Sequence, residues 1–219
     1  MKKLRYYLWA SYRRKLLDKL LEENKHYYQG VVLDIGGRNR GNFRKPKDRV
    51  DRWTFIDIEE KHNPDVVLDV ADMNEIESES INVINAIELF EHVKNPEKGL
   101  RECFRVLQGN GYLIMSVPYM FPIHSDPYDY QRYTETKWKE LLIEIGFTVD
   151  KFEVMGRYFT VLADMIKTLI KSMPKAVKYI FYLFYPLLDL LTKLDNLKIV
   201  RNHPKLGEFH GGYFIILRK

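Results

Sequence analysis

Two carboxylates, Asp34 and Asp57, are the first residues in this chain whose surroundings suggest chemistry. Asp34 lies in LDIGG, where an acid at the end of a β-branched run is followed by Gly36 and Gly37, residues that let a ligand come close to the backbone. Asp57 ends the next such run, about 20 residues on, the distance at which a doubly wound fold places the acid that takes hydrogen bonds from a ribose diol. A carboxylate accepting two hydroxyls makes charge-assisted bonds of about 1.5–3 kcal/mol each, enough to fix a nucleoside. The alternative is that both acids only cap turns. A second constellation lies in PYMFPIHSDPYDYQRYTETKWKELLIEIGF, where His124, Asp126, Tyr128, Asp129 and Arg132 crowd one stretch after a strand. Polar side chains in a loop at a strand end suit a polar substrate, whereas in a purely structural role Asp126-Pro127 and Asp129 would build turns and Arg132 would pair with one of them.

Seven short runs must position these groups: VVLDI, WTFIDI, DVVLDV, INVINAI, YLIMSV, FTVDKFEV and GYFIILRK. Each is β-branched or aromatic and several end beside an acid, as buried parallel strands do. Between them, Pro96 opens a helix with Leu100, Cys103, Phe104 and Leu107 on its inner face. Thr134 caps another that runs to Ile145 and stops at Gly146. Before the last run come helical stretches from Phe159 to Ser172 and from Lys175 to Leu194, split by Pro174. Leucines from Leu4 to Leu21 recur at helical spacing with Arg5, Arg13, Arg14, Lys15 and Lys19 between them, giving one basic amphipathic helix within 1–28. Strands alternating with helices predict a mostly parallel α/β sheet, with the final strand in an antiparallel hairpin at one edge.

Composition narrows the class. With 46% hydrophobic residues among 219, residues 1–219 can bury one core and are expected to form a single domain. A net charge of +5 is too modest to point to nucleic acid, and the basic cluster from Arg38 to Arg52 reads as a solvated loop. The only cysteine, Cys103, excludes a disulfide framework and a thiolate metal cluster. Basic residues interrupt the first apolar stretch, so it does not read as a secretory signal, and no run approaches the roughly 20 apolar residues of a spanning helix; a cytoplasmic protein is expected.

Taken in order, VVLDIGGRNRG, FIDIEE, VVLDVADM and NAIELFEHVKNPEKGLRECFRVLQGNGYLIMSVPY resemble the successive motifs of class I S-adenosylmethionine (SAM)-dependent methyltransferases, over about Gly30 to Phe147. The resemblance implies a Rossmann-like, doubly wound, seven-stranded sheet, here with an N-terminal helix and a helical insertion at 158–200 before the last strand. It also implies that Asp34, Gly36 and Gly37 line the methionine end of SAM and that Asp57 and Ile58 lie at the ribose. Asp69, Val70, Asp72 and Met73 would frame the adenine, and Ile87 and Glu88 would face the cofactor. The chain departs from the family pattern where Arg38 and Arg40 stand in place of glycines. The string from Pro118 to Phe147 is similar to a segment of the methyltransferase-11-like group associated with bacterial polysaccharide and cell-envelope glycan biosynthesis, which implies a sugar hydroxyl on a glycan or glycolipid precursor as acceptor.

For such a reaction the protein must align an acceptor lone pair within roughly 3–3.5 Å of the methyl and in line with the leaving sulfur. An alcohol must also lose its proton, and a histidine can take it near neutral pH. His124 is the first candidate base and His92, in FEHV, the second; Glu91, Asp126, Tyr128, Asp129 and Arg132 are the candidate acceptor contacts. The absence of HxH and HExxH spacing leads to the expectation of no metal. The aromatic-rich stretch 158–194 needs a cover: it is a lid, a homodimer interface or, with 1–21, a peripheral anchor at the inner face of a membrane. Rival readings are a methyltransferase for a lipid or quinone-like molecule and a noncatalytic SAM-binding protein. Nucleic-acid methylation is disfavoured because no Asn-Pro-Pro-aromatic motif occurs, and an NAD dehydrogenase because LDIGGRNRG lacks GxGxxG.

Overall fold

In a computed structural model describing residues 2–37, 41–124 and 127–219, the strands are β1 (Gly30–Ile35), β2 (Val50–Asp57), β3 (Val66–Val67), β4 (Ile81–Ile87), β5 (Leu107–Pro118), β6 (Thr148–Val154) and β7 (Gly212–Arg218). They form one sheet in the order β3-β2-β1-β4-β5-β7-β6. Neighbours among β1 to β5 pair parallel, and β7 runs antiparallel to both β5 and β6. The final strand thus belongs to an antiparallel pair at one edge of the sheet, as its sequence predicts, with β6 outermost and β7 inside it. Its residues explain this: Tyr213 to Leu217 are all buried, whereas β6 alternates apolar and polar residues as an edge strand must.

Alternation along the strands sends side chains to two layers. Leu33, Ile35, Ile84, Met115 and Ile215 face one side, against Leu100 and Cys103 of α3 (Pro96–Val106) and Trp138, Leu141 and Leu142 of α4 (Glu135–Ile145). The second helix is capped by Thr134 and ended by Gly146 at φ 113°, as its sequence predicts, and the first starts at Pro96 with Asn95 before it accepting the Lys98 N–H. Val32, Val83, Ile114, Phe214 and Ile216 face the other side, against Leu17 and Leu21 of α2 (Tyr12–Glu23). The N-terminal segment thus covers a sheet face, and among the described residues no helix lies between β1 and β2.

The single helix read from Leu4 to Leu21 is two, α1 (Lys2–Trp9) and α2. Ser11 caps α2 by accepting the Arg14 N–H at 3.0 Å, and the Asp164 carboxylate takes the N–H groups of Tyr12 and Arg13 at 2.6 and 3.0 Å. A carboxylate at a helix start satisfies donors that have no partner within the helix. The strand read as Asp65 to Val70 keeps only Val66–Val67, because Asp69 folds onto the Ala71 N–H at 2.8 Å and turns the chain. The insertion comprises α5 (Tyr158–Ser172), α6 (Lys175–Phe181), α7 (Tyr185–Lys193) and α8 (Lys198–Arg201), with a 3-10 turn at Tyr182–Phe184 dividing the stretch read as one helix.

Lys167 of α5 is buried where α1, α2 and the insertion meet. Its Nζ donates to the carbonyls of Tyr7 (2.8 Å) and Ala10, and it lies 5.0 and 4.8 Å from the ring centres of Tyr12 and Tyr185. Burial pushes its ammonium down to about 7, with Lys15 and Lys171 adding repulsion against the pull of Asp164 and Asp189. An unfolded lysine titrates near about 10.4, so between those values the unfolded chain binds the extra proton and stability rises with pH. In Lys167→Met two carbonyls lose their partner, at a cost of about 1–3 kcal/mol. Denaturant titrations from about pH 7 to pH 9 should show the wild-type advantage over this variant widening as pH rises.

Candidate active site at the strand ends

The carboxyl ends of β1, β2 and β4 meet where the strand order reverses, the crevice in which open α/β sheets bind ligands. Asp34 is fully buried there. Asn85, its register partner on β4, donates to Asp34 Oδ1 at 2.6 Å, and Tyr28 Oη donates to Asn85 Oδ1 at 2.6 Å. The Lys45 ammonium lies on Asp34 Oδ2. Gly36 has φ 65°, and a Cβ on Gly37 would fall 1.9 Å from Asp34 Oδ1, so the turn admits no side chain while the carboxylate lies beneath it.

Two spaces flank this turn. A cleft of about 640 Å³, within the roughly 300–1,000 Å³ usual for small-molecule sites, is lined by Gly36, Asp57, Ile58, Asp69, Val70 and Glu88 among others. A smaller space of about 60 Å³ lies over Asp34 and is lined by Arg14, Gly36, Gly37, Lys45, Ile87 and Glu88. Gly36 and Glu88 border both. Asp57 is buried with Oδ1 accepting the Glu59 N–H and Oδ2 facing His62 Nδ1, each at 2.9 Å. Asp72 and Met73 are not among the lining residues. Met73 is in the core with its N–H on Glu102, and the exposed Asp72 accepts from Asn74.

Glu88, beyond β4, has a left-handed backbone at φ 54°, strained for a non-glycine residue. Burial would raise its carboxyl, but the guanidiniums of Arg13 and Arg14 and the Ser116 hydroxyl pull it below the ordinary range. Arg13 Nη1 lies 2.5 Å from Glu88 Oε2, with its guanidinium 4.4 Å from the centre of the Phe121 ring. Helix α2 thereby reaches into the site.

Beside the cleft, Glu91 and His92 occupy a 3-10 turn at Phe90–His92. Glu91 is 1% exposed, and burial, then the nearby Glu88, push its carboxyl well above the usual range. Its Oε1 lies 3.6 Å from His92 Nε2 and 3.8 Å from His124 Nε2, and the two imidazole rings meet edge-on at 5.0 Å. His92 lines the cleft, as do Pro127, Tyr128 and Tyr130; His124 stands behind His92. Desolvation lowers the His124 imidazole below its ordinary value. Asp129 accepts the His124 N–H at 2.9 Å and a two-pronged pair from Arg132, and Gln131 ties this loop to the carbonyls of Phe90 and Val93. Asp126, Arg38 and Arg40 lie outside the described residues.

Sequence reasoning missed Arg13, Lys45, His62 and Tyr130 as site neighbours. His62 could have been sought a few residues past the acid ending β2, but no local signal marks Arg13 or Lys45.

Residues 25–115 match the family model described as Methyltransferase domain. The chain carries a SAM-dependent methyltransferase domain. SAM is its cofactor, and the side-chain-free turn at Gly36-Gly37, the acid ending β2 and the cleft between them fit that group. No curated protein matches the chain. Among solved structures it is similar to the [4+2]-cyclase SpnF, with a TM-score of 0.61 and 14% identity over 93% of this chain and 80% of that one. A SAM-dependent methyltransferase from Archaeoglobus fulgidus gives 0.56 and 16% over 94% of both chains. The 1,6-didemethyltoxoflavin-N1-methyltransferase of Burkholderia thailandensis, solved with S-adenosylhomocysteine, gives 0.51 and 14% over 94% and 78%. At these identities the likeness establishes the fold, and a fold shared with a cyclase does not choose the acceptor.

Gly37→Ala provides a test of the turn in the methyltransferase domain. A methyl so close to the Asp34 carboxylate must displace it from Asn85 and Lys45. SAM binding measured by calorimetry should weaken by about 10-fold or more, equivalent to roughly 1.4 kcal/mol, with the far-ultraviolet dichroism unchanged.

Proposed function

We propose that this protein transfers the methyl group of SAM to the oxygen of a sugar hydroxyl on a glycan or glycolipid precursor. The observation carrying this reading is His92 at the cleft that fits the cofactor, in contact with a polar cluster of Glu91, His124, Asp129 and Arg132 behind it. SAM supplies a methyl already activated on a sulfonium. The chain's own residues bind and align. Asp57 takes the ribose hydroxyls in place of its bonds to Glu59 and His62, and Asp69 and Val70 flank the adenine. Asp34 offers an oxygen to an ammonium, the chemistry that Lys45 supplies in this structure and that the amino-acid end of SAM shares.

The acceptor hydroxyl gives its proton to His124, with His92 as the second candidate. Both imidazoles have Nδ1 against a backbone carbonyl, Tyr128 at 2.6 Å and Pro122 at 3.2 Å, which places the proton on Nδ1 and leaves Nε2 as the acceptor. Tyr128, which lines the cleft, is the residue that orients sugar hydroxyls in this reading, and the Asp129–Arg132 pair holds the loop that carries it.

We also propose peripheral attachment to an anionic membrane surface through 1–21 and 158–194. No helix among the described residues is long and apolar enough to cross a membrane. Ile180 and Leu183 are nevertheless 62% and 78% exposed, with Trp9, Phe184, Leu187 and Leu190 also open to solvent. Leu4, Leu8, Trp9 and Tyr182 share a groove with Arg5 and Lys171, so apolar and cationic groups of α1 and the insertion are continuous. That pairing suits an interface of acyl chains and anionic headgroups.

Incubation with SAM and lipid-linked saccharide precursors should release S-adenosylhomocysteine and add one methyl to the saccharide. His124→Ala should lower turnover by about 10²–10⁴-fold, and Asp57→Ala should weaken SAM binding by about 10-fold or more. SAM binding without release from any precursor would favour the noncatalytic reading, and methylation of a quinone-like acceptor alone would favour the lipid reading. In flotation, the protein should rise with phosphatidylglycerol vesicles at low salt. Failure to float, with a dimer found by light scattering, would assign the apolar face to a second copy.

A further inference from the structure

We propose that Glu91, His92 and His124 bind one divalent metal ion of the zinc class through one carboxylate oxygen and two imidazole Nε2 atoms. The three ligand atoms lie within 4.8 Å of one another, with Nε2-to-Oε1 separations of 3.6 and 3.8 Å. Ligands about 2.0–2.2 Å from a tetrahedral zinc stand roughly 3.3–3.5 Å apart, so a cation would draw this set in by a few tenths of an ångström. The separations are too long for hydrogen bonds between the groups themselves. Two imidazoles and a carboxylate are a recurrent donor set for catalytic zinc, and three protein ligands leave a position open.

A second observation points to a ligand. Glu91 is 1% exposed, yet neither carboxylate oxygen has a hydrogen-bond partner among the described residues. The nearby guanidiniums are engaged elsewhere, Arg13 with Glu88 and Arg132 with Asp129. A buried carboxylate without donors is costly, and a cation on its oxygens removes that cost.

The surroundings are built as metal sites are. Metal-bound histidines hold their other ring nitrogen against a carbonyl or carboxylate, which fixes the tautomer and the ring. His92 Nδ1 lies 2.6 Å from the Tyr128 carbonyl. His124 Nδ1 lies 3.2 Å from the Pro122 carbonyl and 3.5 Å from Asp129, whose carboxylate Arg132 holds in place. Both Nε2 atoms are left facing Glu91. HxH or HExxH spacing cannot reveal such a site, because its ligands come from two loops that meet only in the fold.

Because His92 also lines the cofactor cleft, the open position suits an acceptor oxygen delivered there; with the ion bound, both Nε2 atoms are ligands, so the ion takes over from His124 in assisting deprotonation and the acceptor's proton leaves to solvent water. That last role rests on the function proposed above, whereas metal binding does not.

The experiment uses the untagged full chain, stripped with a chelator and titrated with cobalt(II), then zinc. One equivalent of cobalt should bind with the strong visible absorption of a four- or five-coordinate ion, and zinc should displace it. Glu91→Gln and His92→Ala should each weaken binding by about 100-fold or more, and Asp129→Asn, which alters only a partner of a ligand, by about 10-fold. Since Glu91 is buried, His124→Ala at a partly exposed position is the second ligand variant and should give the same loss with SAM binding retained by calorimetry. Absence of cobalt absorption in the wild type, or affinity unchanged in both Glu91→Gln and His124→Ala, overturns the proposal. Methyl transfer by a protein that binds no metal would sink this site and leave the proposed reaction standing; metal binding without transfer would do the reverse.

Discussion

Buried negative charge at the carboxyl ends of parallel strands is the constraint on which this structure turns. Asp34 and Glu88 lie out of water at two adjacent strand ends, and each must be stabilised by donors or cations from elsewhere. Asp34 has Asn85 from the neighbouring strand and Lys45 from the loop before β2, and Glu88 has Arg13 from α2. Three segments distant in sequence are therefore drawn over one crevice by electrostatics as much as by apolar packing.

The loop carrying Lys45 is itself fixed. Asp18 of α2 accepts the Asn42 N–H at 2.7 Å, and the Trp53 indole donates to the Pro46 carbonyl at 3.0 Å. Helix α2 thus has two tasks: its leucines cover the second face of the sheet, while Arg13, one turn before Leu17, and Asp18 organise the site. The insertion supports α2 in turn, since Asp164 caps its first turn and Lys167 anchors the carbonyls that precede it. A surface that binds a membrane or a second copy through the insertion would be one helix away from Glu88.

Much of the sheet was legible in the chain because its strands are short apolar runs bounded by glycines and acids, and period-2 burial leaves little choice of register. Capping residues made α3 and α4 equally legible. The helix break at Ser11 was not, because it depends on Asp164, more than a hundred residues away; the break at Tyr182–Phe184 was overlooked although Pro186, in the first turn of α7, marks a helix start. The antiparallel pair at one edge was legible too, whereas the order within it, β7 inside and β6 outside, was not, since order within a sheet is set by pairing that adjacent residues do not encode.

By itself the sequence determined the α/β architecture, the glycine turn beneath which Asp34 lies, and the acid that ends β2, because strand patterning and backbone freedom are local properties. Only the tertiary structure decided that Arg13 and Lys45 neutralise the strand-end acids, that His62 faces Asp57, and that Glu91 stands between two imidazoles. The physical reason is that charge compensation acts through space over a few ångströms: Arg13, Lys45 and His124 come from segments whose separation along the chain carries no trace of the meeting, and even for His62, five residues from Asp57, it is the turn of the backbone that decides whether the groups face each other.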